Sequence, residues 1–489
     1  TGVQTCALPI FTRRGKIFLL VTLILMVLLA SQVFISSKLD ISAITQFTGR
    51  ASYEGTQTRF GFPDSSSTHL RASDVSASPT AQTPNRNLFS DADFLAACGI
   101  TEVNTSSLEE SPYSNPFFAR FSKSGQESRK SFVMNTADDA GMVLVGGRRT
   151  AFVVLTYNRA QYLLQTMTRV TNVLQSHKYR VDVFVAIDGD DEVTNNMVSS
   201  IKSRMTQSLP NYVFNVIQNK RVLKEGDTDY NAIARNIRNV FEAITRSNEY
   251  DQVIIMDDDM MIASDFFDYF SAMSFLLYED PSVYAISAYN DNGQDDFVMD
   301  PTMVFRSDSF LGGAWMITIA EWNNLRNAWP DSYWMDWMRQ TPLLKGRVCI
   351  RPEMSRVVTF GVTGVNPHPF FLKQQLGVKL NNRDVDFMEY DYGYLMKDNY
   401  NRIWADLVDN AFPIDSIADL VTVPLNKEAK ILYSLTPGVR SFSAIADEVG
   451  IMSDELNKVP RTAYMGVVTV GYKGYRVYLV PERGLLLDY

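Results

Sequence analysis

Apolar and polar positions divide the chain into stretches of different character. Ile17 to Ile35 runs without a charge (IFLLVTLILMVLLASQVFI). At about 1.5 Å per residue, such a helix spans roughly 28 Å, close to the hydrocarbon thickness of a bilayer. From Ser36 to about Gly141 no strong period shows. Within it, Phe62 to Asn87 is rich in Ser, Thr, Pro and Ala and buries too little apolar surface to repay its ordering entropy. Past Val143 the pattern changes. Arg149–Thr156, Val181–Ile187 (VDVFVAI) and Gln252–Met256 (QVIIM) read as buried strands. Helical periodicity follows over Tyr162–Gln175 and Tyr230–Arg246. Strand alternating with helix predicts a parallel sheet in a doubly wound α/β domain. From Phe412 a second pattern begins: a helix over Ser441–Gly450, then strands Met465–Val470 and Tyr475–Val480 around a Gly471–Gly474 turn. It predicts a small α+β module.

These patterns give a domain plan. Residues 11–16 carry Arg13, Arg14 and Lys16, and a basic flank before an apolar run points that end to the cytosol. Residues 17–35 are then an uncleaved type II anchor, with a cleaved signal peptide as the competing reading. Residues 36–145 form a flexible stem with one N-glycosylation sequon, Asn104-Thr105-Ser106. A catalytic domain spans 146–411 and the α+β module 412–489. The first ten residues lack a Met and match translated adapter sequence, so they take no part in the fold reading.

Composition narrows the function classes. The 489 residues hold 46 Lys+Arg against 55 Asp+Glu, a formal net charge of -9. An acidic chain lacks the basic footprint of a nucleic-acid binder. The three His and three Cys argue against a His-rich metal site and a disulfide framework.

The chemistry gathers at the predicted strand ends, where open α/β sheets bind ligands. Asp257-Asp258-Asp259 ends the third strand. In an extended chain the first and third side chains share a face, and a hard divalent cation relieves the repulsion of paired carboxylates. An acidic turn or helix cap accounts for the triplet equally well. Arg159 follows the first strand and suits a phosphate or plain solvent. Asp188 ends the second strand, where it suits a uracil N–H or a helix cap. Trp334-Met335-Asp336-Trp337 reads either as a sugar-stacking wall around a partly buried carboxylate that takes a proton, or as a core aromatic pair. Phe360 to Asn366 is a Gly-punctuated loop, fit to close over substrate or to serve as a turn.

Taken together, these segments resemble the N-acetylglucosaminyltransferase I family, Golgi enzymes that begin complex N-glycans. The matching stretches are Asp257–Asp259 with Ala263–Phe267, Ile286–Gly293, Trp337–Arg339, Gly346–Glu353, Ser355-Arg356, Thr359–Gly361, and Val459–Arg461 with Tyr464 and Gly466. They cover about Thr150 to Pro481. The resemblance implies a GT-A-type nucleotide-sugar domain with a doubly wound mixed sheet, UDP-N-acetylglucosamine as donor and manganese (Mn2+) as cofactor. The acceptor it implies is the α1,3-linked mannose of an oligomannose N-glycan on glycoproteins. It places the chain in the Golgi membrane through one N-terminal helix, catalytic domain lumenal. It assigns Asp259 to the metal, Asp257 to the sugar and Asp258 to the ribose side. Asp188 and Asn236 fall to uracil, Arg159 to the phosphates, and Val365 and Asn366 to a loop folded over the donor. A sister family forms the same bond on O-mannose glycans. The stem here is too short and polar for that family's lectin-like domain.

Four departures stand out. Asp257 replaces a Glu, and Asn236 a His. The family's two disulfides are absent, because Tyr157 faces Gly189 and Ala285 faces Cys349 at the paired positions. The family's catalytic Asp falls on Met335, which takes no proton. Asp336, one residue later, is the expected substitute, and a catalytically inactive donor- or glycan-binding relative is the alternative.

Overall fold

The computed structural model describes residues 116–117, 142–177, 179–362, 369–424 and 428–485. The apolar run 17–35, the sequon, Cys98, Val365 and Asn366 lie outside the described residues. Among those described, no helix is long and apolar enough to cross a membrane.

The predicted α/β alternation is present. Strand β1 (Thr150–Thr156) is buried at every position, as its AFVVL run requires. Helix α1 (Ala160–Ser176) returns the chain to β2 (Asp182–Asp188). Helix α2 (Glu192–Ser208) starts where the Asp191 carboxylate accepts from Thr194 N at 2.8 Å, so this Asp is spent as a cap. Then come β3 (Phe214–Asn219) and α3 (Asp229–Ser247). Helix α3 buries Ile237, Val240, Phe241 and Ile244, one face at helical spacing. Strand β4 (Gln252–Asp257) ends on the first residue of the acidic triplet.

Beyond β4 the sequence pattern is silent, and the structure adds β5 (Met260–Ile262), α4 (Phe266–Met273), β6 (Val283–Ser287), β7 (Val304–Ser307), β8 (Trp315–Thr318), α5 (Trp334–Gln340), β9 (Val348–Pro352) and β10 (Val357–Thr359). The main sheet has eight strands in the order β3-β2-β1-β4-β8-β6-β9-β7. Its first four strands are parallel, while β8 runs antiparallel to both β4 and β6. The sheet is therefore mixed, not the parallel one that alternation alone predicts. Strand β8 is four buried residues of a Gly-Gly-Ala-Trp segment, too short to show a period.

The C-terminal region holds α6 (Lys397–Asn410) and a four-stranded sheet of β11 (Phe412–Ile414), β12 (Ala429–Tyr433), β13 (Val468–Tyr472) and β14 (Tyr475–Pro481), ordered β11-β12-β14-β13. Helix α7 (Phe442–Val449) carries its Gly450 cap at φ 94°, a conformation glycine adopts freely. The expected strand at Met465 starts only at Val468. Met465 and Gly466 have φ of 50° and 78° and make a turn instead.

The two regions are fastened by buried ion pairs. Glu353, just past β9, takes Arg476 of β14 at 2.8 and 2.9 Å, and the main hydrophobic core includes Tyr464, Tyr478 and Val480. Among the described residues of the expected flexible stem, Met142 and Val145 are buried, and so is Phe117, stacked 4.7 Å from Tyr394 and 4.9 Å from Tyr400.

Candidate active site

Parallel strands β1, β2, β3 and β4 end at one edge, and their last residues build the site. Register sets Asp188 opposite Asn219 and Leu155 opposite Asp257. The segment Gly312–Ala314 enters β8 at this same edge, because β8 is antiparallel to β4.

The acidic triplet is not one extended row. Strand β4 stops at Asp257 and the chain turns through Asp258 and Asp259, so alternation fails there. Arg159 joins the second and third carboxylates instead: it pairs with Asp258 and donates to Asp259 Oδ2 at 2.7 Å. Asp258 is fully buried. Its other oxygen accepts from the Thr156 hydroxyl at 2.6 Å. Both oxygens are thus held from within the protein, and Asp258 orients Arg159 rather than facing a ribose. Burial pushes its carboxyl up to about 6, against the pull of Arg159 and Thr156. The protein packed around Asp257, then the charges of Asp259 and Asp258, raise the Asp257 carboxyl to about 7. Yet the Asp257 side chain meets solvent. It lies in a crowded recess open to water, where the neighbouring carboxylates repel its charge.

One guanidinium therefore faces three carboxylates. Among the described residues no three acidic, His or Cys side chains converge as a metal cage, but the hard oxygens of Asp257 and Asp259, both reached by solvent, suit a divalent cation. Arg159, expected on phosphate, is here a clamp on the acidic pair.

The Gly361 loop leaves β10 directly over Asp259. Phe360 N donates to the Asp259 carbonyl at 3.0 Å, and a Cβ on Gly361 would fall 2.2 Å from Asp259 Oδ2. Gly361→Ala is therefore expected to displace the Asp259 carboxylate. The prediction is a several-fold higher manganese requirement with an unchanged thermal midpoint, read by metal titration beside circular dichroism.

A cavity of about 740 Å³ is lined by Tyr157, Asn158, Gly189, Asn219, Lys220 and Arg221, among others; Asp188 and Asn236, expected at uracil, do not line it. Arg221 pairs with both Asp188 and Asp229 and lies 4.1 Å over the Tyr157 ring. The edge of that ring packs on Gly189, so aromatic contact stands where the family's disulfide would be. Burial raises the Asp188 carboxyl while Arg221 lowers it. Asn236 is buried and accepts from Asn219 at 2.7 Å. Sequence reasoning passed over Arg221, which lies just past β3, a strand the hydrophobic pattern also missed. The other missing bridge is also visible: Ala285 pairs in register with Cys349, whose buried thiol is pushed up to about 12.

Helix α5 separates Met335 from Asp336. Consecutive helical residues point about 100° apart. Met335 packs onto Gly312, where a Cβ would come 2.8 Å from its Cε. Asp336 is exposed, not partly buried as expected, and stands 3.9 Å from Arg339. The tryptophans do not form its wall. Trp334 stacks on Trp315 at 5.6 Å and on Trp329 at 5.9 Å, and Trp337 meets Trp329 edge-on. Tyr333, three residues before Asp336, stacks on Tyr230, a pair the sequence pattern did not announce.

A sheet whose carboxyl edge gathers an acidic triplet, a clamping arginine and a polar cavity defines an α/β enzyme of the nucleotide-handling kind. The GNT-I family pattern matches residues 126–489, and the chain belongs to that family. It is 36% identical over 332 residues to the Arabidopsis thaliana alpha-1,3-mannosyl-glycoprotein 2-beta-N-acetylglucosaminyltransferase, covering 68% of this chain and 73% of that relative. Solved structures with partial likeness include the mannosyltransferase PcManGT from Pyrobaculum calidifontis in complex with GDP-Man and Mn2+ (17% identity, 42% of this chain, 55% of that one, TM-score 0.29). Another is glucosyl-3-phosphoglycerate synthase from Mycobacterium tuberculosis with Mn2+, uridine-diphosphate and phosphoglyceric acid (12% identity, 36% and 57%, TM-score 0.22).

Proposed function

We propose that this chain transfers N-acetylglucosamine from UDP-N-acetylglucosamine to the 2-hydroxyl of the α1,3-linked mannose of an oligomannose N-glycan, the step that opens hybrid and complex N-glycans. The match to the GNT-I family across 126–489 carries this reading. The acidic triplet supports it, standing at the sheet edge where a GT-A-type domain handles its donor.

The chain's residues divide the work. Asp259 holds the divalent cation, manganese in this reading, which when bound neutralises charge on the departing diphosphate. Asp258 fixes Arg159 beside it, and Asp257 faces the donor sugar. Tyr157, Asn219 and Arg221 line the cavity that takes the base, with Asp188 paired to Arg221 and Asn236 bonded to Asn219; Val365 and Asn366 are donor contacts by the family resemblance alone. The mannose O2 attacks the anomeric carbon as its bond to the diphosphate oxygen breaks, and the configuration inverts. The hydroxyl proton passes to Asp336, the only carboxylate on α5.

A second reading has its own observation. Met335 fills the place over Gly312, so a protein that binds donor without turnover remains the alternative. Localisation belongs to the proposal as well: a type II Golgi membrane protein anchored through 17–35, with its catalytic domain lumenal. The acceptor test offers a five-mannose N-glycan and an O-mannosyl peptide side by side. Product on the N-glycan alone is expected; product on the O-mannosyl peptide alone would move the chain to the sister activity.

A further inference from the structure

Tyr333 caps α5 at its N-terminus with φ 48° and ψ 44°. A bulky residue rarely takes this left-handed conformation, which costs free energy and concentrates at functional sites. The ring is 55% exposed. It stacks on Tyr230 of α3, with centroids 4.6 Å apart and planes at 25°. A lone exposed aromatic needs no explanation. This pair is held between two elements that are bolted together. Asn231 Nδ2 donates to the Asp331 carbonyl at 3.1 Å, and Trp329 Nε1 to the Ala234 carbonyl at 2.9 Å. The platform is therefore rigid. Tyr333 opens the first turn of α5, its carbonyl accepting from Trp337 N at 3.0 Å, and Asp336 lies within that turn; the charge of Asp336 reaches Tyr230.

We infer that the Tyr333–Tyr230 pair is the acceptor platform, on which a pyranose of the oligomannose glycan stacks with its hydroxyl edge toward Asp336. The inference rests on the proposed transferase reading and deepens it. Aromatic faces carry negative charge density. The C–H face of a mannose ring carries the complementary positive hydrogens and is the apolar side of an otherwise polar sugar. Stacking buries that side, while the hydroxyls at the ring edge stay free for Asp336. The left-handed backbone turns the Tyr333 ring outward, so the strain presents a face that a relaxed N-cap would not.

The test uses the full chain and three variants. Tyr333→Asn keeps a residue that tolerates the left-handed backbone and removes the ring. Tyr333→Phe keeps the face and removes the hydroxyl, and Tyr230→Leu removes the support. The acceptor KM for a five-mannose N-glycan is expected to rise on the order of tenfold in Tyr333→Asn, the scale of burying one apolar sugar face. It should rise by less in Tyr230→Leu and stay near wild type in Tyr333→Phe. Donor KM, UDP affinity and thermal midpoint should stay unchanged. Saturation-transfer NMR with the same glycan reads binding without turnover. An unchanged acceptor KM and NMR signal in Tyr333→Asn would overturn the platform, as would a parallel loss of UDP affinity. If no variant nor wild type transfers, yet the glycan signal vanishes only without the ring, the platform stands and the transferase reading falls.

Discussion

Asp336→Asn is expected to lower kcat by about 10²- to 10⁴-fold, the range a general base supplies, with little change in donor KM. The expectation follows from position and chemistry. Asp336 is the only carboxylate on α5 and stands open to an incoming acceptor. Arg339 stands 3.9 Å from it, and Met335 beside it takes no proton. Its helix is held firmly: Arg339 donates to Asp454 at 3.0 Å, Arg461 meets the same carboxylate at 2.7 Å, and Arg461 reaches Asp291 at 3.4 Å. The C-terminal region thus fixes where the base stands. A second variant separates the two readings of α5. Met335→Asp in the Asp336→Asn background places a carboxylate over Gly312. If Asp336→Asn alone costs nothing, the base role of Asp336 is wrong; if it lowers the rate and the added Met335→Asp restores it, a carboxylate over Gly312 also serves as base.

The second large effect is at the metal. Asp259→Asn is expected to lower manganese-supported kcat by at least about 10²-fold, more than loss of a ligand's outer-shell partner costs. An amide is a poorer ligand than a carboxylate for a hard cation. The substitution also frees one arm of Arg159, which keeps Asp258. The fold should survive, because Asp259 is partly exposed and the buried contacts of the triplet run through Asp258 to Thr156 and Arg159. Metal titration followed by activity reads the loss; wild-type activity at ordinary manganese would remove Asp259 from the metal site.

Three of the eight strands of the main sheet were legible in the sequence, while β3, with only its first residue fully buried, was not. Strands β1, β2 and β4 are continuous apolar runs because both faces are covered. Helices α1 and α3 show one buried face. Strands β6 to β9 were not legible, because each has only four or five residues and their order is set by non-local pairing. The site divides the same way. That Asp257, Asp258, Asp259, Arg159 and Asp188 converge follows from strand ends sharing an edge. What each one touches does not follow, since a turn after Asp257 reassigns the triplet and Arg159 spans two of its members.

Helix α5 was the least legible part. The Trp-Met-Asp-Trp run suggested a tryptophan wall around Asp336. The indoles prefer burial, and Trp315, Trp322 and Trp329 supply an apolar cluster for them to join. That rotates Asp336 to solvent and brings forward Tyr333, whose backbone conformation no residue pattern announces.

The most direct measurement is transfer by the purified chain from UDP-N-acetylglucosamine to a five-mannose N-glycan, with manganese and with EDTA, and with the product linkage read by NMR. A β1,2-linked product on the α1,3-mannose that forms with manganese and stops with EDTA is the expected result. Bound UDP without any product, or transfer that ignores EDTA, would contradict it.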